Sequence, residues 1–229
     1  MEPNLTTVLS LGLVLGMKHA LDADHVAAVS TIVSKSGSLM KSSLVGLFWG
    51  LGHTPTLFSV GLLLLLPKVS IPEKLALLAE LAAGVMLVVL GSSLVRRLVR
   101  ERLHCHFHSH GEETHFHAHS HKDSVGHQHE HKSLIVGMVH GLAGSAAVLL
   151  LALSAARSLL LGIIYILLFG LGTVIGMTIL TSIISLPFIF TAARLKKVNE
   201  LISALAGVAS IALGFFIIYQ VGWARALFF

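Results

Sequence analysis

The chain is expected to be an all-α integral membrane protein, with six transmembrane helices arranged as two inverted three-helix repeats and a disordered His-rich loop between the halves. Three observations predict this. Of its 229 residues, 55% are hydrophobic and only 12% charged, with a mean hydropathy of +0.86, whereas an ordinary soluble domain carries about 25% charged residues. Six apolar segments each provide the roughly 20 residues a helix needs to cross the hydrocarbon core. Short motifs in the first three segments recur, in the same order, in the last three.

The segments cover 5–33, 43–66, 75–98, 133–155, 158–187 and 200–222, dividing the chain into a first repeat over 1–103, a loop over 104–132 and a second repeat over 133–229. No basic leader precedes the first segment between Met1 and Leu5, so it is expected to remain as a span. The first and fifth are long enough to tilt, break or carry an interfacial end. Pro55 lies inside the second, where its missing N–H should kink the helix; neighbouring groups can satisfy the freed carbonyl in a membrane. Pro67 and Pro72 bracket the next loop, Glu80 lies near the start of the third segment, where it is expected at the interface, and Pro187 falls near the end of the fifth.

The loop holds 11 of the 15 histidines. The run His104-Cys105-His106-Phe107-His108-Ser109-His110 continues through His115, His117, His119, His121, His127, His129 and His131. Alternating histidines specify no single geometry; the composition suits loose, multi-state metal buffering by a mobile segment. The tract is internal and irregular, unlike an expression tag.

Loop charge sets the expected orientation. The loops after spans 1, 3 and 5 carry 11 basic residues, and the opposite side carries four, Lys68, Lys74, Arg157 and Arg225. The positive-inside rule then places both termini outside the cytoplasm and the His-rich loop within it. Basic residues cluster beside spans, so the net charge of +5 speaks for orientation and not for nucleic acid. A single cysteine, Cys105, excludes an internal disulfide framework and a membrane thiol/disulfide carrier, which needs two membrane cysteines. No P-loop is present, so this chain does not hydrolyse ATP. No catalytic activity is expected.

The internal repeat is visible in three pairs. Gly16-Met17-Lys18-His19-Ala20-Leu21 corresponds to Gly137-Met138-Val139-His140-Gly141-Leu142 at an offset of 121 residues. Trp49-Gly50-Leu51-Gly52-His53 corresponds to Phe169-Gly170-Leu171-Gly172-Thr173 at 120, and Ala83-Gly84-Val85 with Leu90-Gly91 corresponds to Ala206-Gly207-Val208 with Leu213-Gly214 at 123. A three-span unit starts and ends on opposite sides of the membrane, so tandem copies insert with opposite topology. Secondary transporters reuse this plan, with substrate sites near the midplane where broken helices of the two halves meet. Glycines at the matched positions also suit close helix packing.

The polar residues inside the spans carry the chemistry. His19-Ala20-Leu21-Asp22-Ala23-Asp24-His25 sits within the first span, where ionisable groups mark a functional site because their desolvation must be compensated. Imidazole and carboxylate together form a ligand set that divalent transition metals accept, which points to a membrane permease for such an ion. On a continuous helix turning 100° per residue, Asp22 lies at about 300° and His25 at about 240° from His19, on one face, with Asp24 at about 140°. A broken helix would let Asp24 turn inward instead, and spacing alone leaves both geometries open. The candidate ligands are His19, Asp22, Asp24, His25 and, from the second span, His53, which lies between Gly50-Leu51-Gly52 and Thr54-Pro55. His140 and Lys18 are candidates either for binding the ion or for supporting its ligands. A buried ionic network with Lys18 is the non-metal alternative. Thr173, Thr178, Thr181 and Ser182 are expected to bond to their own helix backbone.

His19 to His25 fit the His-x4-Asp-His signature of the nickel/cobalt transporter family, and Leu51-Gly52-His53-Thr54 resembles its second motif. Gly137 to Leu151, with His140-Gly141-Leu142-Ala143-Gly144-Ser145, is similar to the shorter branch of accessory membrane proteins associated with urease genes. The resemblance implies Ni²⁺ or Co²⁺ as the transported substrate and essential roles for the histidines and acids of the first span; uptake is the expected direction, with no organic cofactor, and with the bilayer and cytoplasmic nickel chaperones as expected partners. Larger members carry acidic motifs in later helices that spans 4 to 6 lack, so the site is expected to lean on imidazole. Efflux and a non-transporting metallochaperone scaffold for urease maturation are the alternative readings.

Overall fold

The computed structural model describes residues 5–66, 72–103, 109–110, 113–114, 128–143 and 159–225. Among these the chain forms seven α-helices: α1 Leu5–His19, α2 Ala23–Val33, α3 Leu39–Leu65, α4 Glu73–Leu103, α5 Gln128–Ala143, α6 Leu159–Arg194 and α7 Lys196–Tyr219, the last running into a π-helical turn over Gln220–Ala224. Three are long and apolar enough to cross a membrane, over Glu73–Arg100, Leu159–Arg194 and Lys196–Trp223. α3 has 27 residues, with Gly50, Gly52, His53 and Pro55 in its middle. The chain is thus an all-helical membrane protein, and many large apolar side chains face outward, among them Leu63, Val89, Ile183 and Phe215.

Several boundaries differ from the sequence expectation. The first segment is two helices, because the chain breaks at Ala20–Asp22. The amides of Leu21 and Asp22 turn back three residues, to the carbonyls of Lys18 (2.9 Å) and His19 (3.1 Å). Asp22 is extended (φ −61°, ψ 147°), the conformation and residue type that precede a helix. Asp24 then lies in the first turn of α2, where a carboxylate is favoured by the helix dipole. Downstream, α5 begins at Gln128, inside the expected loop, where Gln128, Glu130 and Lys132 are good helix formers; residues 144–158, which include the rest of the fourth span, lie outside the described residues. α6 continues through Pro187 to Arg194, and the Thr191 hydroxyl donates to the Pro187 carbonyl at 2.7 Å. Of the tract expected to lack structure, Ser109–His110 and Glu113–Thr114 pair as a short antiparallel hairpin.

Helix packing reproduces the repeat. A Cβ on Gly16 of α1 would overlap the Phe169 carbonyl on α6, and one on Gly137 of α5 would overlap the Trp49 carbonyl on α3. Gly172 meets the Leu13 carbonyl as Gly52 meets that of Leu134; Gly50 abuts Val174 as Gly170 abuts Thr54. On the third pair, Gly84 and Gly214 face each other across α4 and α7, as do Gly91 and Gly207. Each of these glycine contacts has a counterpart at the residues given by the motif offsets. Within that interface the Ser210 hydroxyl donates to the Leu87 carbonyl (3.0 Å) and the Thr54 hydroxyl to that of Gly170 (3.1 Å). Glycine lets the backbones approach closely enough for dispersion and these hydrogen bonds to hold helices together where lipid offers no hydrophobic drive. The core of Ala28, Val29, Trp49, Leu87 and Met177 lies in the middle of the bundle, beside the break between α1 and α2.

Candidate metal centre

The break delivers the first-span histidines to one place. His19 ends α1 and His25 lies in the first turn of α2, so their rings meet at 4.8 Å between centroids. His53, from α3, stands 5.2 Å from His19 and 5.7 Å from His25. One ring nitrogen from each of the three lies within 4.8 Å of the others. His140 of α5 completes the group, 4.7 Å from His25. His25 and His140 are 1% exposed and His53 is fully buried.

These rings are unusual in what they lack. Nε2 of His19 and both nitrogens of His25, His53 and His140 are buried without a hydrogen-bond partner, as is the indole nitrogen of Trp49. Native interiors leave few such atoms, and each costs about 1–3 kcal/mol unless something satisfies it. Each neutral ring carries one N–H and one lone pair, so the four clustered imidazoles offer up to four unengaged lone pairs, which suits a ligand that accepts them, as a transition-metal dication does.

The two carboxylates occupy different places. Asp22 is half exposed, and its Oδ2 lies 2.7 Å from His19 Nδ1. Asp24 turns inward, as a broken helix permits. Its Oδ1 accepts the His25 backbone N–H at 3.0 Å and lies 3.4 Å from His25 Nδ1, while Oδ2 lies 3.3 Å from His140 Nε2. The two imidazole contacts are close enough for charge attraction but are not aligned as hydrogen bonds. Asp22, Asp24 and His25 also offer one ligand atom each within 4.8 Å. Lys18 is exposed, and among the described residues no ion pair joins it to either carboxylate, which removes the buried Lys18 network. The carboxylate of Asp24 is the charge that lies between the buried rings of His25 and His140.

Two residues outside the sequence candidates belong to the wall of this pocket. Trp49 packs 5.2 Å from His140 and 5.9 Å from His25, and Phe169 lies 5.4 Å from His19. They occupy equivalent positions of the two repeats, and that equivalence was the available signal. Thr173, Thr178, Thr181 and Ser182 bond to carbonyls of their own helix; Thr173 also reaches the Gly16 carbonyl at 3.3 Å. Glu80 pairs with Arg225 at 2.8 Å on the surface, far along the chain from the pocket residues. Of the loop residues, His131 is exposed on α5, His129 lies on α5 and His110 in the hairpin. His104, Cys105, His106, His108, His115, His117, His119, His121 and His127 lie outside the described residues.

Comparison with known proteins places the chain among membrane proteins. Residues 64–216 match the family described as the cytochrome c biogenesis protein transmembrane region. That stretch contains His140 but not His19, Asp24, His25 or His53, and its one cysteine is Cys105. Urease accessory protein UreH of Bacillus sp. (strain TB-90) is 40% identical over 227 residues, covering 99% of this chain and 97% of its own length. The chloroplast protein FOR GROWTH AND FERTILITY 1 of Arabidopsis thaliana is 27% identical over 210 residues, 89% of this chain and 56% of its own. No solved structure is significantly similar.

Proposed function

The chain belongs to the cytochrome c biogenesis transmembrane-region family and to the family of urease accessory protein UreH, and from that premise we propose that it is a secondary permease carrying a divalent transition-metal ion, Ni²⁺ foremost, into the cell. The observation that carries the reading is the cluster of His19, His25 and His53, in which Nε2 of His19 and both nitrogens of His25 and His53 are buried without a partner, with Asp24 and His140 beside them. Urease is a nickel enzyme, so the relative's name is in keeping with nickel as cargo. The likeness of His19 to His25 to the nickel/cobalt transporter signature supports the same substrate class, with Co²⁺ and Zn²⁺ as competitors.

Imidazole-rich sites favour borderline ions over Mg²⁺ or Ca²⁺, which prefer oxygen ligands. Cu²⁺ binds most nitrogen and oxygen sites more tightly than Ni²⁺, so geometry and supply must contribute to selectivity. In the proposed cycle a hydrated ion sheds part of its water shell on entering from outside, and the imidazoles replace those waters. Asp24 offsets part of the charge of the ion. The two halves, inverted in the membrane, rock about the site as in other inverted-repeat carriers. The His104–His131 tract, on the cytoplasmic side by the positive-inside rule, buffers the released ion for nickel chaperones.

Flux of Ni²⁺, Co²⁺ and Zn²⁺ into and out of proteoliposomes holding the full-length protein tests this reading. Saturable Ni²⁺ flux that is lost in His25→Ala is the expected result; vesicles no more permeable than empty ones would refute it. The word "accessory" in the relative's name favours a second reading, a scaffold that holds nickel on the loop for a maturation partner. Deleting residues 104–131 separates the two: a permease keeps most of its flux, and a scaffold loses all effect.

A further inference from the structure

We propose that Asp22 is a positioning residue, holding His19 in the tautomer that presents Nε2 to the ion, and is not itself a ligand. The proposal rests on the permease reading and deepens it by assigning the donors. The turn at Leu21 and Asp22 folds the carboxylate back over the end of α1, where Oδ2 meets His19 Nδ1 at 2.7 Å. A carboxylate only accepts hydrogen bonds, so Nδ1 carries the ring proton; in a neutral imidazole the lone pair then resides on Nε2. Nε2 is the nitrogen of His19 that is buried without a partner.

Two further facts favour this role. A residue in the position of Asp22, just before a helix, ordinarily spends its side chain on the first free amides of that helix. Asp22 makes no such bond to α2; its carboxylate is committed to His19. It is also 52% exposed, against 13% for His19 and 1% for His25, so it stands outside the ring of buried nitrogens. Metal-binding histidines commonly donate their second nitrogen to a carboxylate in this way, which fixes the ring and raises its basicity. Asp22 lies near enough to Asp24 and His25 to share an ion with them, and a double-mutant cycle distinguishes that role from this one.

Tight Ni²⁺ binding by the purified full-length protein, resolved in calorimetry from the weaker multi-site binding of the His104–His131 tract, is measured for the wild type, Asp22→Ala, His19→Ala and the double variant, with circular dichroism checking the fold. Asp22→Ala should weaken binding by about 10–100-fold, the usual effect of losing the partner of a ligating histidine. In the His19→Ala background the same change should cost less than about 2-fold, because a residue acting through His19 has nothing left to orient. Asp22→Asn retains an acceptor for Nδ1–H and should recover part of the loss; if Asp22→Ala does not fold, the cycle is run with Asp22→Asn, whose smaller loss should likewise vanish without His19. An Asp22→Ala protein that binds like the wild type, or losses that add in full, would overturn the assignment and leave the permease reading standing. A wild type that binds none of Ni²⁺, Co²⁺ and Zn²⁺ would overturn both.

Discussion

Gly141→Ala tests whether the packing of the two halves sets the geometry of the site. Gly141 lies where α5 crosses α3, and a Cβ there would sit 2.7 Å from the His53 carbonyl oxygen and 3.1 Å from Thr56 Cβ. Carbon and carbonyl oxygen settle at about 3.3 Å or more, so the helices must part locally by about 0.6 Å. His53 is fully buried, and its ring moves with the backbone that carries it. A ligand constellation tolerates about 0.5 Å of misplacement, so the shift is enough to degrade the site. Overpacking of this kind costs about 1–3 kcal/mol of stability. If about 1.4 kcal/mol of it falls on the bound state, Ni²⁺ affinity drops roughly tenfold. The assay is Ni²⁺ titration of the detergent-purified full-length protein, with thermal unfolding in parallel. Gly37→Ala is the control: nothing lies within 4 Å of a Cβ there, so its effect should stay within about 0.5 kcal/mol. A Gly141→Ala protein indistinguishable from the wild type in both measurements would refute the reasoning.

Removing a ligand should cost more than removing its support. His25→Ala and His53→Ala are each expected to weaken Ni²⁺ binding in equilibrium dialysis by more than about 100-fold, above the range for losing a supporting hydrogen bond; unchanged binding would remove that residue from the site. Neutral imidazole ligates and the proton competes for the same lone pair, so Ni²⁺ affinity should fall reversibly on acidification, and an affinity unchanged down to the pH at which the protein unfolds would exclude imidazole ligation. Trp49 stands 5.2 Å from His140 and 5.9 Å from His25, so in a Trp223→Phe background its fluorescence should be quenched saturably by Ni²⁺ or Co²⁺ and much less by Zn²⁺, which has a filled d shell; no quenching at saturation would place the ion elsewhere.

Much of this arrangement was readable in the chain, and the unread part has physical causes. The His19–His25 motif announced itself because four ionisable side chains in an apolar segment are costly without a purpose, and the recurring glycines announced the repeat. The side on which each carboxylate falls could not be read, because it depends on the three residues Ala20–Asp22. A continuous helix puts Asp22 on the face of His19 and His25; the break leaves Asp22 over His19 Nδ1 and swings Asp24 between His25 and His140. His140 was identifiable only as the repeat counterpart of His19, since no acid accompanies it within the apolar stretch 133–155. Trp49 carried no chemical signature at all, because a tryptophan in an apolar span is ordinarily core. The start of α5 at Gln128 was missed because apolar content marks where a helix is buried, not where its backbone hydrogen bonds begin.

The central claim is that a dication is held by imidazole nitrogens at the junction of α1, α2 and α3. A nickel-edge anomalous difference map of the nickel-saturated full-length protein tests it most directly. The expected peak lies between the rings of His19, His25 and His53, at about 2.0–2.2 Å from one nitrogen of each, a normal metal–imidazole bond length. Anomalous density confined to the His104–His131 tract, with none among those three rings, would contradict it.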